Sequence, residues 1–244
     1  MSFDAAAPRS RRDRPAKPAL SRDAIIAAAL DIVAAEGLDA LTMRRLGQAL
    51  DTGPASLYVY FSNRNELWDL LFDAAIGSVA TEPTDPARWR EQLTALCERL
   101  VKMMAEDYPG IARLAMARIP SGDNALRVTE SMLSLLKAGG ASDQAAAYAG
   151  DLINMYVTAI AHEQALYAQL YADPEYQASE IRRLAERFSS IDPARYPTMA
   201  SLSRELTTGD GEERFRLGLD VIINGLLATP TEGRLTRDPW SQGP

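Results

Sequence analysis

Three hydroxyl side chains, at Ser56, Tyr58 and Tyr60, stand close together on the short segment PASLYVYF. Phosphate oxygens take a large share of the hydrogen bonds in protein–DNA complexes, and hydroxyl groups are among their donors. The spacing of these three residues on a short helix therefore predicts contacts with a phosphate backbone.

The residues before the hydroxyls predict two short helices joined by a tight turn. Thr42 can cap the first helix, because its hydroxyl can accept a backbone N–H of the first turn. The run 51–53, Asp-Thr-Gly, breaks the helical pattern, since Asp prefers turns and Gly tolerates positive φ. Pro54 suits the first position of the second helix, which we expect to end at Phe61.

Two short helices joined by a turn of three or four residues that contains Gly form a helix-turn-helix signature. In that motif the second helix enters the major groove of DNA and the first helix crosses the backbone. The pattern leaves one alternative open, which is an ordinary helical hairpin in an all-α protein.

Residues 41–71 resemble the N-terminal domain of the TetR family of transcriptional regulators. The resemblance rests on LTMRRLGQAL for the supporting helix, PASLYVYF for the reading helix and NRNEL after it. The family's usual ending, Leu-Tyr-x-(His/Tyr)-Phe followed by a polar residue, Asn and Lys, is matched over residues 57–64. The chain departs from the pattern at Asp51, where the family usually has Gly, and at Arg64, which replaces Lys.

The resemblance implies which residues contact DNA. It makes Arg44 the base reader, through the O6 and N7 atoms of guanine. It implies phosphate contacts for a set of polar residues, namely Arg45, Ser56, Tyr58, Tyr60 and Arg64. It places four residues with little hydrogen-bonding capacity towards the groove, namely Thr52, Gly53, Pro54 and Ala55.

The charge of the chain is divided unevenly between its two ends. The 244 residues carry a formal net charge of −7, which by itself argues against a nucleic-acid partner. Residues 1–64, however, hold nine Lys or Arg and seven Asp or Glu, a net of +2, while the remainder has a net of −9. Only the N-terminal end is therefore suited to binding a polyanion.

Several classes of protein find no support in the sequence. Cys97 is the only cysteine and His162 the only histidine, so an intrachain disulfide is impossible and no zinc-site spacing exists. No Ser/His/Asp set or Gly-rich phosphate loop stands out, which leaves an all-α small-molecule-binding enzyme as a remote alternative. We expect no cofactor and no metal. The start of the chain lacks an apolar signal region and no long apolar run exists, so we expect a cytoplasmic protein without a membrane segment.

The sequence predicts an all-α protein with an N-terminal three-helix helix-turn-helix domain and a larger C-terminal helical domain for ligand binding and dimerisation. The expected divisions are a disordered basic arm at 1–20, the DNA-binding domain at 21–66, the helical domain at 67–228 and a C-terminal tail at 229–244. The arm carries five Lys or Arg among three Pro. It could reach a neighbouring minor groove, or serve as a solubilising tail that makes only nonspecific phosphate contacts.

Helical patterns cover most of the chain. Ser21 can cap a first helix that runs to Glu36. Asn63, with Glu66 three residues later, resembles a capping box that opens a fourth helix running to about Val79. This helix has apolar residues on two faces, so we expect it to link the two domains. Further helices are expected near 87–106, 109–117, 122–138, 142–172, 174–189, 197–207 and 211–228.

Two of these helices are suited to self-association. The helix 142–172 has a face of small residues, namely Ala147, Gly150, Asn154, Val157, Ala161, Ala165 and Leu166. The last helix repeats Phe215, Leu219, Ile222, Ile223 and Leu226 at helical spacing, and is similar to the final helix of the tetracycline-repressor subgroup, which implies a homodimer. Both could instead be core helices of a monomer. A dimer would read two half-sites about 34–36 Å apart, or multiples of that, in a palindromic operator.

The middle helices hold methionines together with aromatic and polar residues. Methionine adapts to varied apolar shapes, and a few polar groups among apolar ones can orient a small molecule. The family resemblance implies a pocket for an inducer there. Its expected lining is Met103, Met104, Tyr108, Met116, Met132, Asn154, Thr158 and His162. The alternative is that these residues only fill a core, as in a dimeric DNA-binding protein without an inducer.

Overall fold

The computed structural model describes residues 20–117 and 121–229, and the part it describes is helical without a β-strand. The predicted arm, apart from Leu20, and the predicted C-terminal tail, apart from Thr229, lie outside these residues. The helices are α1 Arg22–Glu36, α2 Met43–Ala49, α3 Pro54–Leu57, α4 Arg64–Ile76, α5 Trp89–Lys102, α6 Ala112–Ala117, α7 Asp123–Ala138, α8 Asp143–Leu170, α9 Pro174–Ser189, α10 Pro197–Ser201, α11 Ser203–Thr207 and α12 Gly211–Ala228. The all-α prediction is confirmed.

Several predicted boundaries were wrong. Helix α3 ends at Leu57, so the reading helix is a single turn followed by looser turns up to Phe61. Helix α4 ends at Ile76 instead of Val79. The helix expected at 87–106 gives way after Lys102 to a π-helical turn, Met103–Asp107. The helix expected at 197–207 is divided at Leu202 into α10 and α11.

The predicted N-caps are confirmed by hydrogen bonds. Ser21 Oγ accepts the Ala24 N–H at 3.1 Å, and Thr42 Oγ1 accepts the Arg45 N–H at 3.0 Å. Asn63 Oδ1 accepts the Glu66 N–H at 3.0 Å and opens α4. Each side chain satisfies a backbone donor that the first turn of a helix leaves unpaired.

Helices α1 to α3 and the start of α4 form a small domain with its own core, which we call the head. Its buried side chains come from α1 and from the residues that follow it, namely Ile25, Ala29, Ile32, Val33, Leu38, Leu41, Leu46, Leu57, Phe61 and Leu67. Leu50, just after α2, is only partly buried. The rest of the described chain, from α5 onwards, is called the body.

Helix α4 joins the head to the body. It packs against α1 on one side and against α6 and α7 on the other. Leu67 and Leu71 are buried near its start and middle, and Ala75 and Ile76 at its end. The predicted two-sided helix is therefore confirmed, and the domain division at 66/67 falls inside one continuous helix.

Helix α8 is the central helix of the body and packs against α5, α6, α7 and α12. Val157 and Ala161, which we expected on a dimerisation face, are buried inside the subunit instead. The same correction holds for Phe215, Leu219 and Ile223 of α12, which pack inwards. Helices α9 to α11 pack chiefly against one another and bury none of their own residues.

In the described part of the chain, none of the helices combines the length and the apolar character that crossing a bilayer requires.

Candidate DNA-binding head and ligand groove

The turn between α2 and α3 depends on a close contact between two backbone segments. The Thr52 N–H donates to the Gly47 carbonyl at 2.8 Å, and Gly47 is buried. A Cβ on Gly47 would lie 2.8 Å from the Thr52 carbonyl oxygen, a contact that real Cβ atoms do not make. Only glycine fits this position without a shift of the turn.

The positive φ of the turn lies at a different residue from the one predicted. Gly53 has an extended φ of −74°, whereas Asp51 has a φ of 49°. Asp tolerates the left-handed region better than most residues. This explains how Asp51 can stand where the family usually has Gly.

The predicted groove-facing residues lie on one exposed surface at the start of α3. Gly53, Pro54, Ala55 and Ser56 are exposed, and Thr52 is partly exposed. Tyr58 is 53% exposed, so its hydroxyl is available to a ligand. The structure thus exposes most of the predicted DNA-contact residues of this segment.

The two arginines expected to act from the supporting helix lie in different environments. Arg44 is exposed and makes no hydrogen bond or ion pair within residues 20–117 and 121–229. Arg45 is bound to Glu36, with Nη2 2.5 Å from Oε1 and Nε 3.1 Å from the same oxygen. The hydrogen bond from Arg45 lowers the pKa of Glu36 and raises the pKa of the guanidinium. Arg44 is free to reach DNA, whereas Arg45 already has an anionic partner.

Tyr60 and Arg64, the remaining predicted phosphate contacts, also differ in exposure. Arg64 is exposed, and its guanidinium lies 4.9 Å from the centre of the Trp68 ring. Tyr60 is partly buried, and its hydroxyl donates to the Leu20 carbonyl at 2.7 Å. In this conformation the Tyr60 hydroxyl donates its proton within the head and is not available to a phosphate.

Two sets of polar contacts that sequence reasoning missed fasten α4 to α7. The Asp73 carboxylate accepts the Ala125 N–H at 2.9 Å and the Asn124 amide at 3.2 Å, so α4 caps the first turn of α7. Arg127 of α7 donates to the carbonyls of Gly77 and Val79, just beyond α4. The partners are about fifty residues apart in sequence, and no local pattern pairs them.

The head also contacts α6 directly. Arg113 Nη2 lies 2.6 Å from the Asp39 carboxylate, and the Leu38 N–H donates to the Pro109 carbonyl at 2.9 Å. Next to these contacts, Leu38, Pro109, Arg113 and His162 help to line a cleft of about 310 Å³ between head and body, which we call the junction cleft.

The structure gathers only part of the predicted ligand-binding set. Met103, Met104, Met132 and Thr158 are buried in the body core, and Tyr108 is partly buried. Met116 and His162 meet in a groove of about 390 Å³, which we call the α6–α8 groove, lined by Met116, Ala159, His162, Glu163, Leu166, Tyr167, Leu170 and Tyr171. Asn154 is exposed on α8 and lines neither this groove nor the junction cleft, so it does not join the others.

The α6–α8 groove is mainly apolar and aromatic. The rings of Tyr167 and Tyr171 are 5.3 Å apart. His162 lines both this groove and the junction cleft, and its Nδ1 is buried without a hydrogen-bond partner in the described chain. One turn earlier on α8, Thr158 Oγ1 is likewise buried and unpaired among the described residues. Buried polar groups without partners are costly, so they are frequently found where a ligand or water binds.

Metal binding finds no support in the described ranges. They contain no group of three or more His, Cys, Asp or Glu side chains that could hold an ion.

Comparison with known proteins accounts for both halves of the chain. Residues 25–70 match the family model described as "Bacterial regulatory proteins, tetR family", and residues 82–229 match "Tetracyclin repressor-like, C-terminal domain". The chain is 33% identical over 224 residues to the transcriptional repressor DrrR1 of Streptomyces coeruleorubidus, covering 88% of this chain and 80% of that protein.

Solved structures agree with this relationship. ActR of Streptomyces coelicolor without ligand is 40% identical, with a TM-score of 0.75 over 86% of this chain and 98% of ActR. The structure of ActR in complex with actinorhodin has a TM-score of 0.76 at the same identity and coverage.

Proposed function

Because the chain belongs to the TetR family of transcriptional regulators, we propose that it binds a palindromic operator as a homodimer and is released by a small molecule. It is a ligand-responsive, DNA-binding transcriptional repressor and not an enzyme. The palindromic symmetry of the operator, the homodimer and the position of the inducer site are our proposals. The cytoplasmic location and the division at 66/67 stay predictions.

One observation carries the DNA-binding part of the proposal. Residues 53–56, Tyr58 and, on α2, Arg44 are exposed, and Val59 beside them is 82% exposed as well, while most other large apolar residues of the head are buried or partly buried. Apart from Val59, these residues are small or able to donate hydrogen bonds, so a helix of this kind can approach base edges and phosphates closely. Arg44 is the proposed base reader, and Ser56, Tyr58 and Arg64 are the proposed phosphate contacts.

The exposed faces of α8 and α12 support a homodimer. Helix α8 exposes Tyr148, Leu152 and Met155, while its opposite face is buried in the body. Helix α12 exposes Leu217 and Val221 in the same way. Large exposed apolar patches mark interaction sites, and two such helices from each subunit form a four-helix interface with two-fold symmetry.

The α6–α8 groove is the proposed inducer site. Its methionine, leucine and tyrosine side chains suit a flat, largely apolar molecule, and His162 can supply a hydrogen bond. Helix α6, which forms one wall through Met116, also holds Asp39 of the head through Arg113. A bound molecule that displaces α6 would thus change the angle of the head. Inducer and operator then oppose each other by a coupling free energy of about 1–3 kcal/mol.

Selection of bound sites from random DNA tests the operator proposal. We expect an enriched palindrome whose half-sites are centred about 34–36 Å apart, or a multiple of that spacing. Enrichment of a single asymmetric site would contradict the two-fold arrangement, and no enrichment at all would contradict DNA reading by the head.

A gel-shift titration on the selected operator tests the groove, with actinorhodin as the probe because ActR was solved in complex with it. We expect release of the operator, and loss of that release in the variant Ala159→Phe, whose ring would fill the groove. Ala194→Phe, at an exposed position outside the groove, is the matched control. Release that survives Ala159→Phe unchanged would place the ligand elsewhere.

A further inference from the structure

The most exposed large apolar side chain in the described chain lies directly after the reading helix. Val59 is 82% exposed, whereas the other large apolar residues of the head, apart from Tyr58, are buried or partly buried. The proposed phosphate contact accounts for the exposure of Tyr58, but a valine side chain has no hydrogen-bonding group. One exposed valine is ordinary on a protein surface, so its meaning depends on where it lies.

Val59 shares a face with the exposed residues of α3. It follows Ser56 by three residues and Ala55 by four, the spacing that places side chains next to one another on a helix. The Tyr60 N–H donates to the Leu57 carbonyl at 3.0 Å, so a hydrogen-bonded turn continues past the end of α3. Val59 therefore extends the proposed groove-facing surface by one turn.

The residues on both sides of Val59 are held by the head. Leu57 and Phe61, two positions before and after it, are buried in the core. The carbonyl of the next residue, Tyr60, accepts a hydrogen bond from Arg22 Nε at 2.9 Å. Because valine is branched at Cβ, its side chain also has few accessible rotamers. A contact made by Val59 therefore costs little conformational entropy.

The edges of base pairs in the major groove offer one methyl group. Adenine, guanine and cytosine present chiefly hydrogen-bond donors and acceptors there, whereas thymine also presents its 5-methyl group. An isopropyl side chain cannot pair with donors or acceptors, and packing against them would only take water away from them. Packing against a methyl group instead removes apolar surface from water, which is worth about fourfold in affinity for each methyl group buried.

We propose that Val59 is a specificity-determining residue that selects a thymine in each half-site, by packing against the 5-methyl group in the major groove. The inference rests on the proposed DNA-binding function. It adds a second means of reading the operator, since Arg44 identifies a guanine through hydrogen bonds and Val59 identifies a thymine through apolar contact.

Deoxyuridine tests the contact, because it lacks only the methyl group of thymidine and keeps the same hydrogen-bonding edge. In the operator obtained by site selection, each thymine is replaced in turn by deoxyuridine at the equivalent position of both half-sites. Binding of the full-length protein to each duplex is measured by fluorescence anisotropy. One symmetric pair of replacements should weaken binding about 10- to 20-fold, the product of two losses of about fourfold.

A double-mutant cycle assigns this loss to Val59. Val59→Ala should weaken binding to the thymine operator by a similar factor, but by less than about twofold on the operator with the critical deoxyuridines. Tyr58→Phe is the matched control, because the loss of a phosphate hydrogen bond should cost the same on both operators. The midpoint of chemical denaturation should be nearly unchanged in Val59→Ala, since the side chain is exposed.

An equal cost of Val59→Ala on both operators would place the side chain against sugar or phosphate atoms and overturn the reading of thymine. The proposal is also wrong if selected half-sites lack thymine, if no deoxyuridine replacement weakens binding, or if Val59→Ala markedly lowers the denaturation midpoint. Failure of the unchanged protein to bind any duplex at low salt would instead overturn the DNA-binding function itself. The two kinds of failure are therefore distinguishable.

Discussion

Gly47 is the residue on which the geometry of the helix-turn-helix depends. It is buried in α2, and its missing side chain leaves room for the Thr52 carbonyl. At Gly53, only six residues later, a Cβ would meet nothing within 4 Å, and the φ is one that any residue adopts. The two glycines are thus under different steric constraints. A Cβ at Gly47 would collide with backbone, whereas a Cβ at Gly53 would lie in open space.

Replacing Gly47 by Ala should destabilise the protein by about 1–3 kcal/mol, the usual cost of forcing extra atoms into a packed site. Gly53→Ala should change the free energy of unfolding by less than about 0.5 kcal/mol, as for other exposed positions. Chemical denaturation measures both. Equal stabilities for the two variants would show that the turn can move away from a Cβ at residue 47.

Arg44→Ala should weaken operator binding by about 1–3 kcal/mol and relax the base preference at one position of each half-site. Arg64→Ala is the comparison, because the loss of a phosphate contact should weaken binding to all sequences and make the salt slope shallower. Site selection repeated with each variant measures the preference. An unchanged preference in Arg44→Ala would remove Arg44 as the base reader.

Cys97 should be unreactive in the folded protein. Burial raises the pKa of its thiol to about 12, with a smaller contribution from the charge of Glu98. Because the thiolate is the reactive form, the folded protein should react with a thiol reagent at pH 8 only through unfolding. In denaturant, where the pKa returns to about 8.5, the reaction should be fast. Rapid labelling of the native protein would contradict the buried position.

At the scale of elements, α4 is the helix through which head and body are joined. It packs on α1 in the head and on α6 and α7 in the body. Its Asp73 carboxylate caps α7, and Arg127 of α7 binds carbonyls just beyond its end. The body therefore holds the head through α4, in addition to the contact between Asp39 and Arg113.

Asp73→Ala should lower stability by about 0.5–2 kcal/mol, the usual cost of losing a helix cap. It should also weaken operator binding, because the head is held less firmly at the angle that the operator requires. Asp123→Ala is the control, since Asp123 lies in the first turn of α7 but contacts no side chain of α4 through a described hydrogen bond. Chemical denaturation and gel-shift measurements on both variants separate the effect on stability from the effect on operator binding.

If Asp73→Ala and Asp123→Ala bind the operator with equal affinity, the cap does not orient the head.

At the scale of the whole molecule, charge and exposed apolar surface are distributed unevenly between the N-terminal end and the body. Residues 1–64 are net positive, chiefly through the basic residues at 9–17, and the remainder is strongly acidic, so only the N-terminal end of the chain favours DNA electrostatically. The apolar surface that remains exposed on α8 and α12 lies in the body. Association through these helices would hold two heads at a fixed separation.

Val221→Glu should weaken dimerisation by about 100-fold or more, because the two-fold axis would bury two unpaired carboxylates in one interface. Val221 is 63% exposed in the single chain, so the substitution should leave the subunit folded. Leu126→Glu, at a 55% exposed position on α7, is the matched control and should stay dimeric. Sedimentation equilibrium measures both. A dimer that survives Val221→Glu would place the interface on another surface.

Much of the fold could be predicted from the sequence because it depends on neighbouring residues. The caps at Ser21, Thr42 and Asn63 need only a side chain and the next turn of backbone. The helix-turn-helix and the surface around Ser56 followed from the same local patterns.

Only the tertiary structure decided which of several similar groups face inwards. Helices α8 and α12 are apolar on more than one side, so spacing alone could not show that Val157 and Phe215 are buried while Met155 and Val221 are exposed. Likewise, Tyr58 and Tyr60 have equal chemistry, but Tyr60 has a carbonyl partner forty residues away. The sequence by itself determined the local structure and the family. Which groups each side chain contacts was decided by the packing of segments that are distant in sequence. Residue spacing along the chain carries no information about that packing.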